Sequence, residues 1–250
     1  MNSVSSNATP CFQITDTFST RVDLAERIET KFAVPGADVA KLRSVLTGGC
    51  RAVAHNEPVS VVRSVYFDDV RLSACRANLD GLGRRQKLRL RWYDSPLPET
   101  EFYFEIKWRN NRVTGKHRLQ MRSQRPLTEL TYPQILSELE CSLPRRYVPS
   151  LLTHSEPVVL VEYRREHFHA RHSPVRLTID YDIAYYTQLG KRGLSNSFRQ
   201  PLHDAVVVEA KTPLTGQREL RQLLHPFAAR PTRSSKYVNG CRMLGLIVSE

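Results

Sequence analysis

Cysteine is scarce and unorganised in this sequence: Cys11, Cys50, Cys75, Cys141 and Cys241 are odd in number, scattered and without CxxC spacing. This argues against a disulfide framework or a zinc site and makes a reducing, cytoplasmic setting the expectation. The eight histidines show no ligand pattern such as HExxH. No apolar run approaches the roughly 18 residues that a membrane span needs. Residues 1–20 are rich in Ser, Asn and Thr, but they have neither a basic start nor an apolar stretch, so they do not read as a signal peptide. They are expected to form a disordered tail, leaving 21–250 as a single domain. Internal repeats and low-complexity blocks are absent. Acid is short as well, with 25 Asp+Glu against 37 Lys+Arg and a net charge of +12. That excess points to a polyanionic partner: nucleic acid, an anionic membrane surface or phosphorylated small molecules. Charge alone does not choose among them.

What is present is a run of strand-like segments: Ala25–Val34, Ser60–Phe67, Arg85–Tyr93, Glu101–Arg109, Lys116–Arg122, Val158–Phe168, Val175–Tyr185 and Ala205–Lys211. Helix-like segments lie between and after them, at Asp38–Leu46, Asp69–Leu79, Tyr132–Cys141 and Gln217–Phe227, with a last one from Ser234-Ser235 to Val248. Many strands with few two-residue turn signals suggest a large antiparallel sheet decorated with helices.

Several strands alternate charged with apolar residues at a period of two. In Lys87-Leu88-Arg89-Leu90-Arg91-Trp92 the cations share one face, and Leu88, Leu90 and Trp92 share the other. Phe104–Arg109, Arg27–Phe32, Val175–Asp180 and Val208–Lys211 repeat the pattern. A sheet with one solvated face would account for each strand taken alone. Yet same-face neighbours lie only about 7 Å apart, so Lys87, Arg89 and Arg91 repel one another unless an anion sits among them. The opposite faces carry Phe32, Phe104, Trp92 and Trp108, which amphipathic helices can cover. These observations fit an α+β fold: an antiparallel eight-stranded β-barrel, or tunnel, with helices packed outside and charge inside. Cations in such a bore are costly to desolvate unless paired, so the expected ligand is narrow, extended and densely negative.

Eight stretches in order over 26–241 carry a resemblance: Glu26–Phe32, Ser64–Asp68, Lys87–Tyr93, Phe104–Trp108, Glu162–Phe168, Val175–Asp180, Val208–Lys211 and Ser234–Gly240. The chain resembles the VTC domain, the polyphosphate polymerase domain of the vacuolar transporter chaperone proteins, within the triphosphate tunnel metalloenzymes. The resemblance implies a tunnel that binds inorganic polyphosphate and transfers the ATP γ-phosphate onto the growing chain, with Mn²⁺ or Mg²⁺. By position it makes Lys31, Arg89, Arg91, Lys107, Arg165, Arg176, Lys211, Ser235 and Lys236 the phosphate-binding residues. It makes Glu209 the metal ligand, with Glu105 and Glu29 as weaker candidates. The extra phosphate-sensing and membrane domains of the eukaryotic subunits have no counterpart here, which suggests a stand-alone, bacterial-type member. The ExExK signature of other tunnel enzymes is incomplete at Glu29, and the segment holding Lys116 and Arg118 matches loosely.

Phosphoryl transfer depends on positioning and charge neutralisation, and Arg and Lys supply both. The terminal phosphate of the chain can attack by itself, so no protein nucleophile is needed and none is evident. Two other readings use the same residues: hydrolysis of triphosphate or polyphosphate, and polyphosphate binding without turnover. Nucleic acid is not the expected partner, because no stacking aromatics or known motif accompany the basic residues. The charge is compatible with association with a membrane or a membrane protein, but no motif specifies such a partner or an oligomeric state.

Overall fold

The computed structural model describes residues 12–23, 28–35, 38–54, 57–213, 216–227 and 230–247. Nine long or medium strands carry the fold: β1 (Phe12–Asp23), β2 (Ile28–Pro35), β4 (Ser60–Asp68), β5 (Arg84–Tyr93), β6 (Glu101–Asn110), β7 (Val113–Ser123), β8 (Glu156–Ala170), β9 (Arg176–Thr187) and β11 (Ala205–Thr212). Short strands β3 (Cys50–Val53), β10 (Gln200–Pro201) and β12 (Arg230–Pro231) complete one antiparallel sheet of twelve. Its order is β1-β7-β6-β5-β4-β8-β9-β11-β2-β12, with β10 beside β9 and β3 beside β8. Six α-helices among the described residues accompany it: α1 (Val39–Gly49), α2 (Ser73–Leu79), α3 (Tyr132–Ser142), α4 (Val148–Thr153), α5 (Gln217–Leu224) and α6 (Lys236–Met243).

The α+β antiparallel architecture is the one the alternation implied. The sheet is rolled: Lys107 Nζ on β6 lies 3.2 Å from Glu29 Oε1 on β2. Six strand steps separate β6 from β2 in the sheet, about 29 Å if it lay flat. The roll is not closed by strand pairing among the described residues, because the strand order has two ends, and its strands number twelve rather than eight. Residues 12–20, expected as part of a disordered tail, form β1, which pairs with β7 along its length. Alternating Phe12 and Ile14 supply the reason: Phe12 is fully buried and meets Phe102 edge-on at 5.1 Å, and threonine is well suited to strands. The start of the expected first strand, 25–27, and the end of the expected last helix, at 248, lie outside the described residues.

The apolar outer faces are covered as expected. Leu88, Leu90, Trp92, Phe104 and Ile106 pack under Ile135 and Leu139 of α3 and Leu151 of α4. Phe32, Phe168, Leu177, Ile179 and Val208 pack under Leu42 and Leu46 of α1 and Leu220 and Leu224 of α5. The third cluster differs, for α6 with α2 packs on the inner face. Its Tyr237, Val238 and Cys241 meet Tyr66, Val161, Tyr163 and Val207, and Val207 shares its face with Glu209 and Lys211. The segment leading into α6 is thereby held inside the roll. No helix among the described residues is long and apolar enough to cross a membrane.

Candidate functional site

The inner face is a set of cross-strand rungs fixed by register. On β5–β6, Arg85 faces Arg109, Lys87 faces Lys107, Arg89 faces Glu105 and Arg91 faces Tyr103. On β6–β7, Glu105 faces Arg118 and Lys107 faces Lys116. Across the bore, Lys211 stands between Arg176 and Glu29, and Glu209 between Thr178 and Lys31.

Three ion clusters organise these rungs. In the first, Glu105 has a fully buried side chain and is ringed by Arg89, Arg91, Lys116 and Arg118, with Arg89 Nε donating at 2.6 Å. Burial opposes its ionisation, but the four cations prevail and hold its carboxyl well below the usual range. The same crowding falls on Lys116, whose pKa burial and the neighbouring arginines push down to about 8 despite Glu105. Tyr66 and Tyr163 hold the arginines in place: Arg89 Nη1 donates to Tyr66 Oη at 2.7 Å, and Arg91 to Ser64 Oγ at 2.9 Å and Tyr163 Oη at 3.3 Å.

In the second cluster Arg165 makes a two-pronged bond to Asp180, at 2.6 and 2.7 Å, and Lys236 joins the same carboxylate. Asp180 is fully buried; burial disfavours its charge, but Arg165 and Lys236 lower its pKa. In the third, Glu209 is met by Lys211 at 3.2 Å and Arg165 at 3.9 Å. Glu29 is met by Lys107 at 3.2 Å and Lys31 at 3.7 Å. Burial notwithstanding, Glu209 and Glu29 raise the Lys31 pKa, and Lys31 and Arg165 lower that of Glu209 far below the carboxylate range. Lys31 Nζ also donates to the Ser234 carbonyl at 3.2 Å, and Lys87 Nζ to Ser235 Oγ at 2.8 Å. Among the described residues no carboxylate pairs with Lys87, and burial together with Lys31, Lys107, Arg85 and Arg89 depresses its pKa strongly.

The structure thus brings together Lys31, Arg89, Arg91, Lys107, Arg165, Lys211, Ser235, Lys236, Glu29, Glu105 and Glu209. Arg176 stands at the exposed end of the same face, opposite Lys211, while Asp180, four residues on in the same strand, is taken by Arg165. Sequence reasoning passed over Lys87, Lys116, Arg118, Asp180, Tyr66 and Tyr163 as site residues. The first three and Asp180 obey the same period-two signal; the tyrosines carry no charge and stand out only through the register.

A hard divalent cation binds carboxylate oxygens and keeps phosphate oxygens and waters in its shell. Glu209 and Glu29 fit that requirement: both face the bore on adjacent strands, and burial and Glu209 act to raise the Glu29 pKa although Lys107, Lys31 and Lys211 lower it overall. Among the described residues no group of three His, Cys, Asp or Glu side chains converges, so a cation here has at most two protein carboxylates. Glu105 fits poorly, since four cations already surround it.

The family model described as the VTC domain matches residues 26–245 of this chain. Among solved structures, the chain is similar to a putative adenylyl cyclase from Hippeastrum described as having a dominant triphosphatase activity. The two are 17% identical, with 87% of this chain and 95% of that chain covered and a TM-score of 0.48. It is also similar to a protein from Pyrococcus horikoshii OT3, 12% identical, with 85% and 97% covered and a TM-score of 0.45. No curated protein matches the chain.

Proposed function

Because this chain belongs to the VTC-domain family, we propose that it is a metal-dependent polyphosphate polymerase that transfers the γ-phosphate of ATP onto a polyphosphate chain inside the bore. The observation that carries the reading is the convergence of Lys31, Lys87, Arg89, Arg91, Lys107, Lys116, Arg118, Arg165, Lys211 and Lys236 around, among the described residues, four carboxylates: Glu29, Glu105, Asp180 and Glu209. The uncompensated positive charge is crowded inside the roll, and a linear polyanion is the ligand that offsets its cost.

The residues divide the work. Arg89, Arg91 and Arg165 are held by Glu105, Ser64 and Asp180 with their guanidinium groups pre-oriented for phosphate oxygens. Lys31, Lys87, Lys107 and Lys211 are point charges that neutralise the charge developing on the transferred phosphoryl group. Ser235 and Lys236, carried inward on the approach to α6, complete the wall. In the transfer an oxygen of the terminal chain phosphate forms the new bond to the γ-phosphorus, while the bond from that phosphorus to the ADP oxygen breaks. Glu209 and Glu29 would hold Mn²⁺ or Mg²⁺, which supplies Lewis-acid neutralisation of phosphate oxygens.

Incubation with ATP, Mn²⁺ and a short polyphosphate primer tests the proposal. Long chains together with ADP are expected, and Glu209→Ala should retain polyphosphate binding but lose turnover. Orthophosphate as the sole product would instead make the protein a hydrolase of the same fold. Binding without metal-dependent turnover in the wild type would make it a polyphosphate-binding protein.

A further inference from the structure

Two consecutive rungs of the inner face set cation against cation. On the β5–β6 ladder Lys87 stands opposite Lys107, and one rung outward Arg85 stands opposite Arg109. Directly opposed like charges on one face of a sheet, about 5 Å apart at Cβ, are destabilising. The inner rung is relieved from within the fold, by Glu29 on Lys107 and Ser235 Oγ on Lys87. The outer rung is not. Arg85 donates to the Leu82 carbonyl and Arg109 Nε to the Asn111 carbonyl at 2.7 Å. These contacts aim the guanidinium groups without neutralising them, and among the described residues no carboxylate pairs with either.

A third cation joins them. Arg233 is exposed, and its Nη1 lies 3.6 Å from the place a Cβ would occupy on Gly81, in the turn before β5. Burial, Arg109 and Arg233 together lower the Arg85 pKa. The segment 233–236 runs inward from there: Arg233 by Gly81 in the turn before β5, the Ser234 carbonyl on Lys31, Ser235 on Lys87 and Lys236 on Asp180. Deeper in the bore carboxylates interrupt the positive charge; at this mouth no carboxylate among the described residues pairs with these cations.

We propose that Arg85, Arg109 and Arg233 form a second phosphate-binding subsite at the mouth of the bore, holding the part of a polyphosphate chain that extends beyond Lys87 and Lys107. The inference rests on the reading that the bore takes phosphate chains. A tripolyphosphate seated at Arg89, Arg91 and Arg165 would stop short of Arg85 and Arg109, two rungs of about 7 Å further out, whereas a long chain would extend to them. The subsite therefore adds affinity for long chains only, and it marks this end as the one through which the chain passes.

The test is calorimetric titration of wild type and the Arg85→Gln/Arg109→Gln/Arg233→Gln variant with tripolyphosphate and with long-chain polyphosphate. The variant should bind the long chain at least about tenfold more weakly and tripolyphosphate with unchanged affinity. Equal losses for both ligands, or no loss for either, would overturn the subsite while leaving the bore intact. A wild type that binds neither ligand would overturn the functional reading and the subsite together. Should the triple variant unfold, Arg109→Gln/Arg233→Gln, which leaves the half-buried Arg85 in place, gives the same comparison.

Discussion

The Tyr237 hydroxyl on α6 donates to Asp68 Oδ2 at the end of β4, at 2.7 Å, and both side chains are fully buried. The same carboxylate accepts from the Asp69, Ala74 and Cys75 amides, at 2.8 to 2.9 Å, and so caps α2. Tyr237 stacks on Tyr66 at 5.0 Å, and Tyr66 in turn holds Arg89. One carboxylate thus ties together α2, α6 and the arginine wall, and fixes the approach on which Ser235 and Lys236 enter the bore. Tyr237→Phe should cost about 1–2 kcal/mol of stability, measured by chemical denaturation, and weaken tripolyphosphate binding. Unchanged affinity would mean that the approach to α6 holds its place without this bond.

Glu105→Gln removes the one carboxylate among Arg89, Arg91, Lys116 and Arg118. Breaking a buried ion cluster in this way should cost on the order of 3–5 kcal/mol. Tripolyphosphate should restore much of the loss, because it supplies the missing negative charge; thermal unfolding with and without the ligand checks this. The pH dependence follows from the depressed folded pKa of Glu105. Its contribution is fully present above the unfolded value of 4.5 and is lost as pH falls below that value towards the folded one. The variant should lack this part of the acid sensitivity.

Arg165→Lys keeps a positive charge but gives up the two-pronged bond to Asp180. A loss of about 2 kcal/mol is expected in denaturant unfolding. Polyphosphate affinity should fall as well, because Asp180 is then left with Lys236 and a single weaker partner.

Anion binding should take up protons at pH near 8. Lys116 is pushed down to about 8, and Lys87 is also strongly depressed. A polyanion placed beside them favours their charged forms and raises both values. Titration of tripolyphosphate in two buffers of different ionisation enthalpy should show net proton uptake, smaller in Lys116→Met. Proton release would contradict the crowding of cations described above.

Much of this was legible in the sequence because the period of two reports directly on faces. Arg89 and Arg91 against Leu88, Leu90 and Trp92 mark both the charged inner side and the covered side from the alternation alone. Asp38 caps α1 where the expected helix begins, and Thr131, just before the expected helix Tyr132–Cys141, caps α3 in a full capping box with Gln134. What the sequence withheld depends on partners distant in the chain. Nothing local in Asp180 distinguishes Arg165 from Arg176 as its mate; the β8–β9 register does, by setting Arg165 opposite Asp180. β1 was hidden because its Ser and Thr residues read as tail until Phe12 finds Phe102. The inward packing of α6 is likewise a long-range fact, set by Tyr237 meeting Tyr66 and Asp68.

The most direct test of the account is a crystal structure of the protein soaked with tripolyphosphate and Mn²⁺. The phosphates should lie inside the roll, within hydrogen-bond distance of Arg89, Arg91, Lys107 and Arg165, with the metal at Glu209. Phosphates bound on the outer surface, with those side chains still engaged only with Glu105, Glu29 and Asp180, would contradict it.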